Sequence, residues 1–153
     1  MKALVVYDSF FGNTEKIAQA IGSALGDAAV VKVGEFKPEM MQGVNLLLVG
    51  SPTRAFSASP GIKEFLKNLA KDSLKGVKVA GFDTRARIDE KTPGFLKVMI
   101  KLFGYAAKPI SDRLQKRGGV LAAEPEGFLV LGTEGPLADG ELDRAARWAK
   151  SLV

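Results

Sequence analysis

The 153-residue chain is long enough for one domain with a substantial core. Its composition is that of an ordinary globular protein, but 22 lysines and arginines against 17 acids give it a net charge of +5. It has no cysteine and no histidine, which excludes disulfides, thiolate catalysis, cysteine-ligated metals and the commonest metal ligand and general base. Any chemistry must therefore come from carboxylates, lysines, arginines, hydroxyls or a bound cofactor that carries the reactive group itself.

Short apolar runs alternate with helical spacings from the amino terminus to the middle of the chain. The apolar runs are rich in β-branched residues and barely alternate with polar ones, which is typical of buried parallel strands. The segments between them have apolar residues three and four apart, and the first ends at Gly26 and Asp27, which suits a helix stop. These patterns predict strands at 3–8, 29–33, 44–50 and 77–82, helices at 14–26 and from Pro60 through Leu69, and a helical turn after Pro38.

The stretch between the fourth and fifth predicted strands is longer than one crossover helix requires. Its last part, residues 106–117, has the spacing of the expected helix, so the preceding residues form an insertion at about 92–105. Within it, Pro93–Tyr105 is strongly apolar but carries Lys97 and Lys101. This pattern is compatible with a lid beside a ligand, a site for an apolar substrate, a basic helix on a membrane surface, or burial against the domain or within a homodimer.

The remaining elements complete a single domain over residues 1–153. A final strand region is predicted at 120–122 and 128–131 with an interruption at 124–127, and residues 138–152 predict a closing amphipathic helix. We expect Trp148 of that helix to lie in the core or at the surface and not on a ligand. Strands that alternate with helices at this spacing predict a three-layer α/β fold with a parallel sheet.

The chain offers few signals for its location or for a macromolecular partner. Met1 and Lys2 stand directly before the first predicted strand, so we expect no signal peptide, and no apolar run reaches the length of a membrane span. We therefore expect a soluble, cytoplasmic protein. Its basic charge would suit an acidic partner or an anionic membrane surface, but charge alone does not support nucleic-acid binding, and we predict none.

The loop at residues 9–14 has the composition of a phosphate site. It lies between a strand and a helix, where backbone N–H groups lack intrahelical partners and the helix dipole is positive. Ser9 and Thr14 add hydroxyls, and Gly12 allows close approach or a positive φ. The loop has neither the lysine of a Walker loop nor the three glycines of a dinucleotide fingerprint, so it suits a single terminal phosphate.

Two further loops, at 51–59 and 83–87, are expected at the same edge of the sheet, where parallel sheets bind their ligands. Together the three loops resemble those of the flavodoxin family, whose first loop has the form Thr/Ser-x-Thr/Ser-Gly-x-Thr and wraps the phosphate of FMN. The residues that match this motif are Ser9, Gly12, Asn13 and Thr14. Phe11 departs from the hydroxyl that is common at its position, while Gly50–Thr53 and Phe82–Arg85 look like the starts of the family's second and third loops.

The resemblance extends over essentially the whole chain and implies a doubly wound, five-stranded parallel sheet in the order 2-1-3-4-5 that binds FMN. It implies that the first loop holds the phosphate and that the other two lie on either side of the flavin ring. The residues implied for the site are Ser9, Phe10, Phe11, Gly12, Asn13 and Thr14 at the phosphate, Ser51, Pro52, Thr53, Arg54, Ala55 and Phe56 on one side, and Asp83, Thr84, Arg85 and Arg87 on the other.

The aromatic side chains that usually bracket the flavin in this family are not evident in the three loops. Phe56 is the only aromatic residue of the second loop, and the near part of the third loop has none. Tyr105 or Phe95 of the insertion are candidates for the second position. Simple packing of the insertion onto the domain is the alternative for both.

Three arginines, at positions 54, 85 and 87, set the predicted site apart from acidic flavodoxins, because Asp83 is the only acid near them. A guanidinium about 6 Å from the flavin, at an effective dielectric constant of about 20, would favour the reduced anion by roughly 3 kcal/mol. For a one-electron step this is on the order of 100 mV before screening. We therefore predict a less reducing flavin, although the arginines could instead hold an anionic substrate.

The function that the resemblance implies is electron transfer through FMN between redox partners, with no catalytic side chain and no metal. The alternative is an FMN-dependent oxidoreductase that acts on a quinone or a porphyrinogen-type substrate. Phosphate-receiver domains share the predicted topology but need an acidic pair after the first strand and an aspartate after the third, where this chain has Asp8 and Ser51. Whether the protein is a monomer or a homodimer stays open.

Overall fold

The computed structural model describes residues 1–26 and 28–153. It has three layers, in which a parallel β-sheet lies between two layers of helices. The strands are β1 Ala3–Tyr7, β2 Ala29–Lys32, β3 Leu46–Pro52, β4 Lys78–Ala86, β5 Val120–Leu121 and β6 Glu126–Val130, and the α-helices are α1 Asn13–Ala24, α2 Pro60–Asn68, α3 Gly94–Phe103, α4 Ala107–Lys116 and α5 Glu141–Ser151. Short 3₁₀ turns follow β2 at Val33–Glu35 and Pro38–Met41. The strand order β2-β1-β3-β4-β5 confirms the predicted fold and topology.

Two short segments share the fifth position of the sheet. Strand β5 pairs with the start of β4, and β6 pairs with its end, from Phe82 opposite Glu126 to Ala86 opposite Val130. The break between them, at residues 122–125, lies two residues earlier than the predicted interruption, because Glu126 and Gly127 already belong to β6. Pro125 has no N–H to donate to the ladder, so pairing resumes only after it.

Strand β4 continues through residues that the sequence assigns to a loop. Asp83, Thr84 and Arg85 pair with β6 on one side, and Asp83 and Thr84 also pair with β3 on the other. Two strand neighbours satisfy the backbone there, so these polar side chains occur in a strand that local composition does not predict. Because strand side chains alternate between faces, Asp83 and Arg85 lie on the α4 side of the sheet and Thr84 on the α1 side.

The core consists of two apolar clusters, one on each face of the sheet. Along β1, Leu4 and Val6 pack with α2 and α4, while Val5 and Tyr7 pack with α1 and α5. Both faces are therefore covered, which explains the unalternating apolar pattern of the central strands. Trp148 of α5 packs edge to face on Phe82 and Phe128, at centroid distances of 6.1 and 6.0 Å, so it lies half-buried against the core.

Two helix ends differ from the predicted positions by more than one residue. Helix α1 ends at Ala24, two residues before the predicted end at Gly26. Asp27, the second residue of the predicted stop, lies outside the described residues. Helix α5 begins three residues later than predicted. The N–H of Ala138 donates to the carbonyl of Leu129 at 2.9 Å, so the preceding segment pairs with β6 and does not join the helix.

No helix within the described residues combines the length and the apolar content that crossing a bilayer requires.

Candidate functional site

A cleft of about 270 Å³ opens at the carboxyl edge of the sheet. Its lining residues are Phe10, Phe11, Asn13, Thr53, Arg54, Ala55, Thr84, Arg85, Ala86, Val130, Gly132 and Thr133. Eight of these twelve are among the residues that the sequence predicts for the site, and they come from all three predicted loops. The fold therefore brings together segments that are far apart along the chain.

The first loop turns at Gly12 and presents the amino terminus of α1. Gly12 has φ of 90°, a left-handed conformation that favours glycine, and the space beside its Cα is open. The N–H of Lys16 donates to the carbonyl of Gly12 at 3.1 Å, and the earlier amides of Asn13 and Thr14 have no intrahelical partner. The loop thus offers N–H donors and the positive end of a helix dipole, which together can hold a phosphate.

Ser9 and Thr14, two of the predicted phosphate ligands, have hydroxyl partners within the protein. The hydroxyl oxygen of Ser9 accepts from the N–H of Gly12 at 3.0 Å and from that of Glu15 at 3.4 Å, so it shapes the loop from within. Thr14 is buried, and its hydroxyl lies 2.8 Å from that of Thr84. This bond joins α1 directly to β4, across the base of the cleft.

The second loop contains a tight turn whose two central residues are strained. Arg54 and Ser57 exchange backbone hydrogen bonds of 2.9 and 3.0 Å, while Ala55 and Phe56 have φ of 48° and 66°. Both central residues of this hairpin-like turn are left-handed without being glycine, which costs on the order of 1 kcal/mol or more each. The turn holds Arg54 and Ala55 at the mouth of the cleft.

The start of the second loop is anchored to the domain. Buried Ser51 accepts a hydrogen bond from the N–H of Ser59 at 2.8 Å, and Pro52 is the last residue of β3. Thr53 donates its N–H to the carbonyl of Thr84 at 2.9 Å, and its hydroxyl accepts from the N–H of Ala106 at 3.1 Å. Of these residues only Thr53 and Thr84 line the cleft, so Ser51 and Pro52 support the loop from below.

Arg54 lies across the mouth of the cleft and pairs with aromatic rings. Its guanidinium carbon is 5.0 Å from the ring centroid of Phe10 and 5.8 Å from that of Phe11. Both rings are about half exposed, and Arg54 forms no ion pair with a carboxylate of the described residues. Its positive charge is therefore free to act on a ligand.

Arg85 is held by a carboxylate and an aromatic ring. Two of its guanidinium nitrogens donate to the two carboxylate oxygens of Asp83, each at 2.7 Å, and the ring of Tyr105 lies 3.7 Å from the guanidinium carbon. Asp83 is fully buried and also accepts from the N–H of Ala107 at 2.8 Å. Burial raises the pKa of Asp83, against the lowering effect of Arg85 and of the Ala107 amide.

The remaining predicted residues do not reach the cleft. Phe56 packs on Phe103 of α3, with a centroid distance of 5.8 Å, and Arg87 is exposed outside the cleft. Tyr105 covers Arg85 and Phe95 is 74% exposed, and neither is among the residues that line the cleft. The aromatic surfaces in the cleft are instead those of Phe10 and Phe11, the latter being the residue that departs from the motif.

The sequence prediction misses a fourth segment at the cleft. Gly132 and Thr133 follow β6 and line the cleft with Val130, and the carbonyl of neighbouring Glu134 accepts from the side-chain amide of Asn13 at 3.1 Å. A signal was present, because the loop after the last parallel strand is expected at the same edge as the others. The interruption before β6 obscured which strand this loop follows.

A protein-family model described as Flavodoxin matches residues 5–148 of the chain. Among solved structures, the fold is similar to oxidised flavodoxin 2 from Bacillus cereus, with 23% identity over 99% of this chain and 97% of that one and a TM-score of 0.78. It is also similar to a flavodoxin from the domain Archaea, with 23% identity, 99% and 96% coverage and a TM-score of 0.75. No curated protein matches the sequence.

A larger protein contains a similar unit. The chain matches rubredoxin oxygen:oxidoreductase from Desulfovibrio gigas with 16% identity and a TM-score of 0.74, over 99% of this chain but only 35% of that one. At these identities the structural likenesses concern the fold alone.

Proposed function

The chain belongs to the flavodoxin family, and on that premise we propose that it binds one FMN non-covalently in the cleft and carries electrons between redox partners. The observation that carries this proposal is the cleft itself, in which the loop before α1 meets the carboxyl ends of β3 and β4. Bound FMN would supply the electron-accepting ring, so the chain needs no acid–base side chain of its own.

The first loop would hold the phosphate of FMN. The amides of Asn13 and Thr14 begin α1, and the Gly12 turn leaves open space beside them. A hydrogen bond to a charged group contributes about 1.5–3 kcal/mol, so two such donors would account for much of the affinity. Phe10 and Phe11 offer apolar faces to the ring, and the Thr53 hydroxyl, which accepts from the N–H of Ala106, retains its O–H as a donor at the cleft.

We expect one of the three predicted arginines to act on the bound flavin as a free charge. Arg87 lies outside the cleft, and Arg85 is neutralised by Asp83. Arg54 lines the cleft and has no carboxylate partner among the described residues. We therefore expect Arg54 to favour negative charge on the bound flavin and to make it less reducing.

The absorption spectrum of the purified protein and the identity of any released flavin test the proposal first. Titration should show one FMN per chain, with riboflavin binding at least about 100-fold more weakly because it lacks the phosphate that accepts from the loop amides. Protein that binds neither compound would overturn the proposal. Equal affinity for both would overturn the assignment of the first loop as the phosphate site.

Asn13→Asp tests the loop with a change of one atom. The new carboxylate would lie in the cleft beside the phosphate and should weaken FMN by at least about 10-fold while affecting riboflavin much less. Asn68→Asp makes the same change on α2, away from the cleft, and should leave both affinities unchanged. An equal loss for FMN and riboflavin in Asn13→Asp would indicate that Asn13 supports the loop, through its bond to Glu134, and does not face the phosphate.

A second candidate function is that of an FMN-dependent oxidoreductase acting on a quinone or porphyrinogen-type substrate. The contact between Phe56 and Phe103 favours it, because it joins the second loop to an exposed apolar helix that an apolar substrate could approach. Steady-state turnover with NAD(P)H and small quinones distinguishes the two functions. A carrier that serves only protein partners should show little such turnover.

A further inference from the structure

Helix α3 differs from every other α-helix of residues 1–26 and 28–153 in having no buried side chain. Seven of its ten residues are nevertheless apolar. An exposed helix of a soluble domain normally presents polar residues to water on its outer face. The composition of α3 therefore indicates that its outer face meets something other than water.

The ten residues of α3 divide into three faces at about 100° per residue. Leu96 and Ile100 lie on the half-buried side. An outer stripe contains Phe95, Val98 and Leu102, which are 74%, 57% and 70% exposed. Lys97 and Lys101 lie one turn apart on the third face, next to the outer stripe, and both are exposed. The helix is thus apolar outward and basic along one flank.

The surface around α3 has the same character. Phe10 and Phe11 are 47% and 46% exposed at the cleft, and Ile88 and Leu131 are exposed just beyond β4 and β6. Between residues 85 and 108, Arg85 and Lys108 pair with acids outside this range, and the other lysines and arginines number four against two acids, an excess of two positive charges. Exposed apolar groups and an excess of positive charge therefore occur together in this part of the chain.

We propose that α3 and the rim of the cleft bind the surface of an anionic lipid bilayer. The outer stripe would enter the interface while Lys97 and Lys101 contact anionic headgroups, as in helices that lie in the plane of a membrane. A continuous apolar phase accepts a protruding helix without a groove to receive it, and anionic headgroups match the basic flank.

A second copy of the chain fits this surface less well. Helix α3 contains no acid, so two copies that met through it would bring four lysines together without a carboxylate on either helix to pair with them. Binding to a bilayer does not require FMN. Where the proposed electron transfer holds, it would place the cleft near acceptors dissolved in the lipid.

Co-sedimentation of the full chain with vesicles tests the proposal. We expect binding to vesicles that mix phosphatidylcholine with phosphatidylglycerol, little binding to phosphatidylcholine alone, and weaker binding at high salt. Lys97→Glu with Lys101→Glu should reduce the partition coefficient at least about 30-fold, since each lysine near an anionic surface contributes roughly five-fold. Val98→Asp with Leu102→Asp should also abolish binding, through the apolar face.

Lys63→Glu with Lys67→Glu is the matched control. These lysines have the same spacing on α2 and the change in net charge is identical, so binding should fall by less than about 3-fold. An equal loss of vesicle binding in the two double variants would overturn the proposal, because binding would then depend on the net charge of the chain and not on α3. The far-UV circular dichroism of each variant establishes that it is folded.

Three other outcomes would overturn the proposal as well. The first is equal binding to neutral and anionic vesicles. The second is the absence of binding to either, which would leave an acidic protein partner as the better occupant of α3. The third is concentration-dependent dimerisation that the Val98→Asp and Leu102→Asp changes abolish. FMN affinity measured on the same samples distinguishes these failures from a failure of the proposed electron transfer.

Discussion

Arg54 and Arg85 line the same cleft but are held in different ways. Arg54 is exposed, lies over Phe10 and Phe11, and forms no ion pair among the described residues. Arg85 donates two hydrogen bonds to buried Asp83 and is covered by the ring of Tyr105. The sequence assigns both to the site with equal weight, yet only one presents a free charge. A count of arginines in a site therefore overstates its effective charge.

Removing the charge of Arg54 should have the largest effect on a bound flavin. We expect Arg54→Gln to lower its reduction potential by on the order of 100 mV at low ionic strength, because an unpaired cation near the ring favours the reduced anion. Redox titration at low and high salt measures the shift, which should shrink as salt screens the exposed charge. Arg87→Gln, outside the cleft, serves as the control. A shift of the potential in Arg85→Gln as large as that in Arg54→Gln would contradict the statement that only Arg54 presents a free charge.

Removing the partner of Arg85 should expose the second charge. Asp83→Asn leaves the guanidinium without its carboxylate and should raise the potential by tens of millivolts, because a second unpaired cation at the cleft favours the reduced anion. The same redox titration measures it, with thermal unfolding as a check on the fold. The double variant Asp83→Asn with Arg85→Gln should return the potential close to that of the wild type. A double variant as shifted as Asp83→Asn would show that Arg85 is not responsible.

Acidification should shift the reduction potential of the bound flavin in the same direction as Asp83→Asn does. Burial raises the pKa of Asp83 above its ordinary value of 3.8, so the carboxyl takes up a proton earlier than usual as the pH falls. Protonation removes the negative charge, exposes that of Arg85 and raises the potential. The difference in potential between wild type and Asp83→Asn should therefore shrink towards zero as the pH falls through this pKa. A difference that stays constant with pH would contradict this behaviour.

The effect of Asp83 on the stability of the fold follows from the same pKa shift. The folded chain holds the Asp83 proton more tightly than the unfolded chain does. Its contribution to stability is therefore present below a pH of about 3.8 and is lost as the pH rises through the raised pKa. Acid unfolding must consequently come from other carboxyls. Glu141, whose pKa Arg144 lowers, is one that loses its contribution as the pH falls.

Removing the hydrogen bond between the hydroxyls of Thr14 and Thr84 should have the smallest effect of these changes. Thr14→Val leaves the buried hydroxyl of Thr84 without this partner and should lower the free energy of unfolding by about 1 kcal/mol. Urea unfolding with and without FMN measures this, and Thr14→Ser should retain most of the stability. A loss of FMN affinity with unchanged stability would instead assign the Thr14 hydroxyl to the phosphate and not to β4.

Much of the fold could be predicted from local patterns. The central strands and the positions of α1, α2 and α4 follow from runs of apolar residues and from helical spacing, which report burial directly. The strand order was implied by the resemblance to the flavodoxin family and not by these patterns. The end of β4 could not be predicted in the same way, because Asp83 and Arg85 occur in a strand only through their pairing with β6. The loop after β6 was missed for a related reason, since its neighbour in the sheet was not known.

The sequence by itself determined the α/β class, the phosphate-like loop and the unusual apolar and basic character of α3, because these depend on residue types at short separation. Only the tertiary structure decided how those groups act. It paired Arg85 with Asp83, turned Thr14 towards Thr84, placed Phe11 in the cleft and left α3 uncovered. Side-chain partnership depends on contacts between distant segments, and local sequence spacing does not encode those distances.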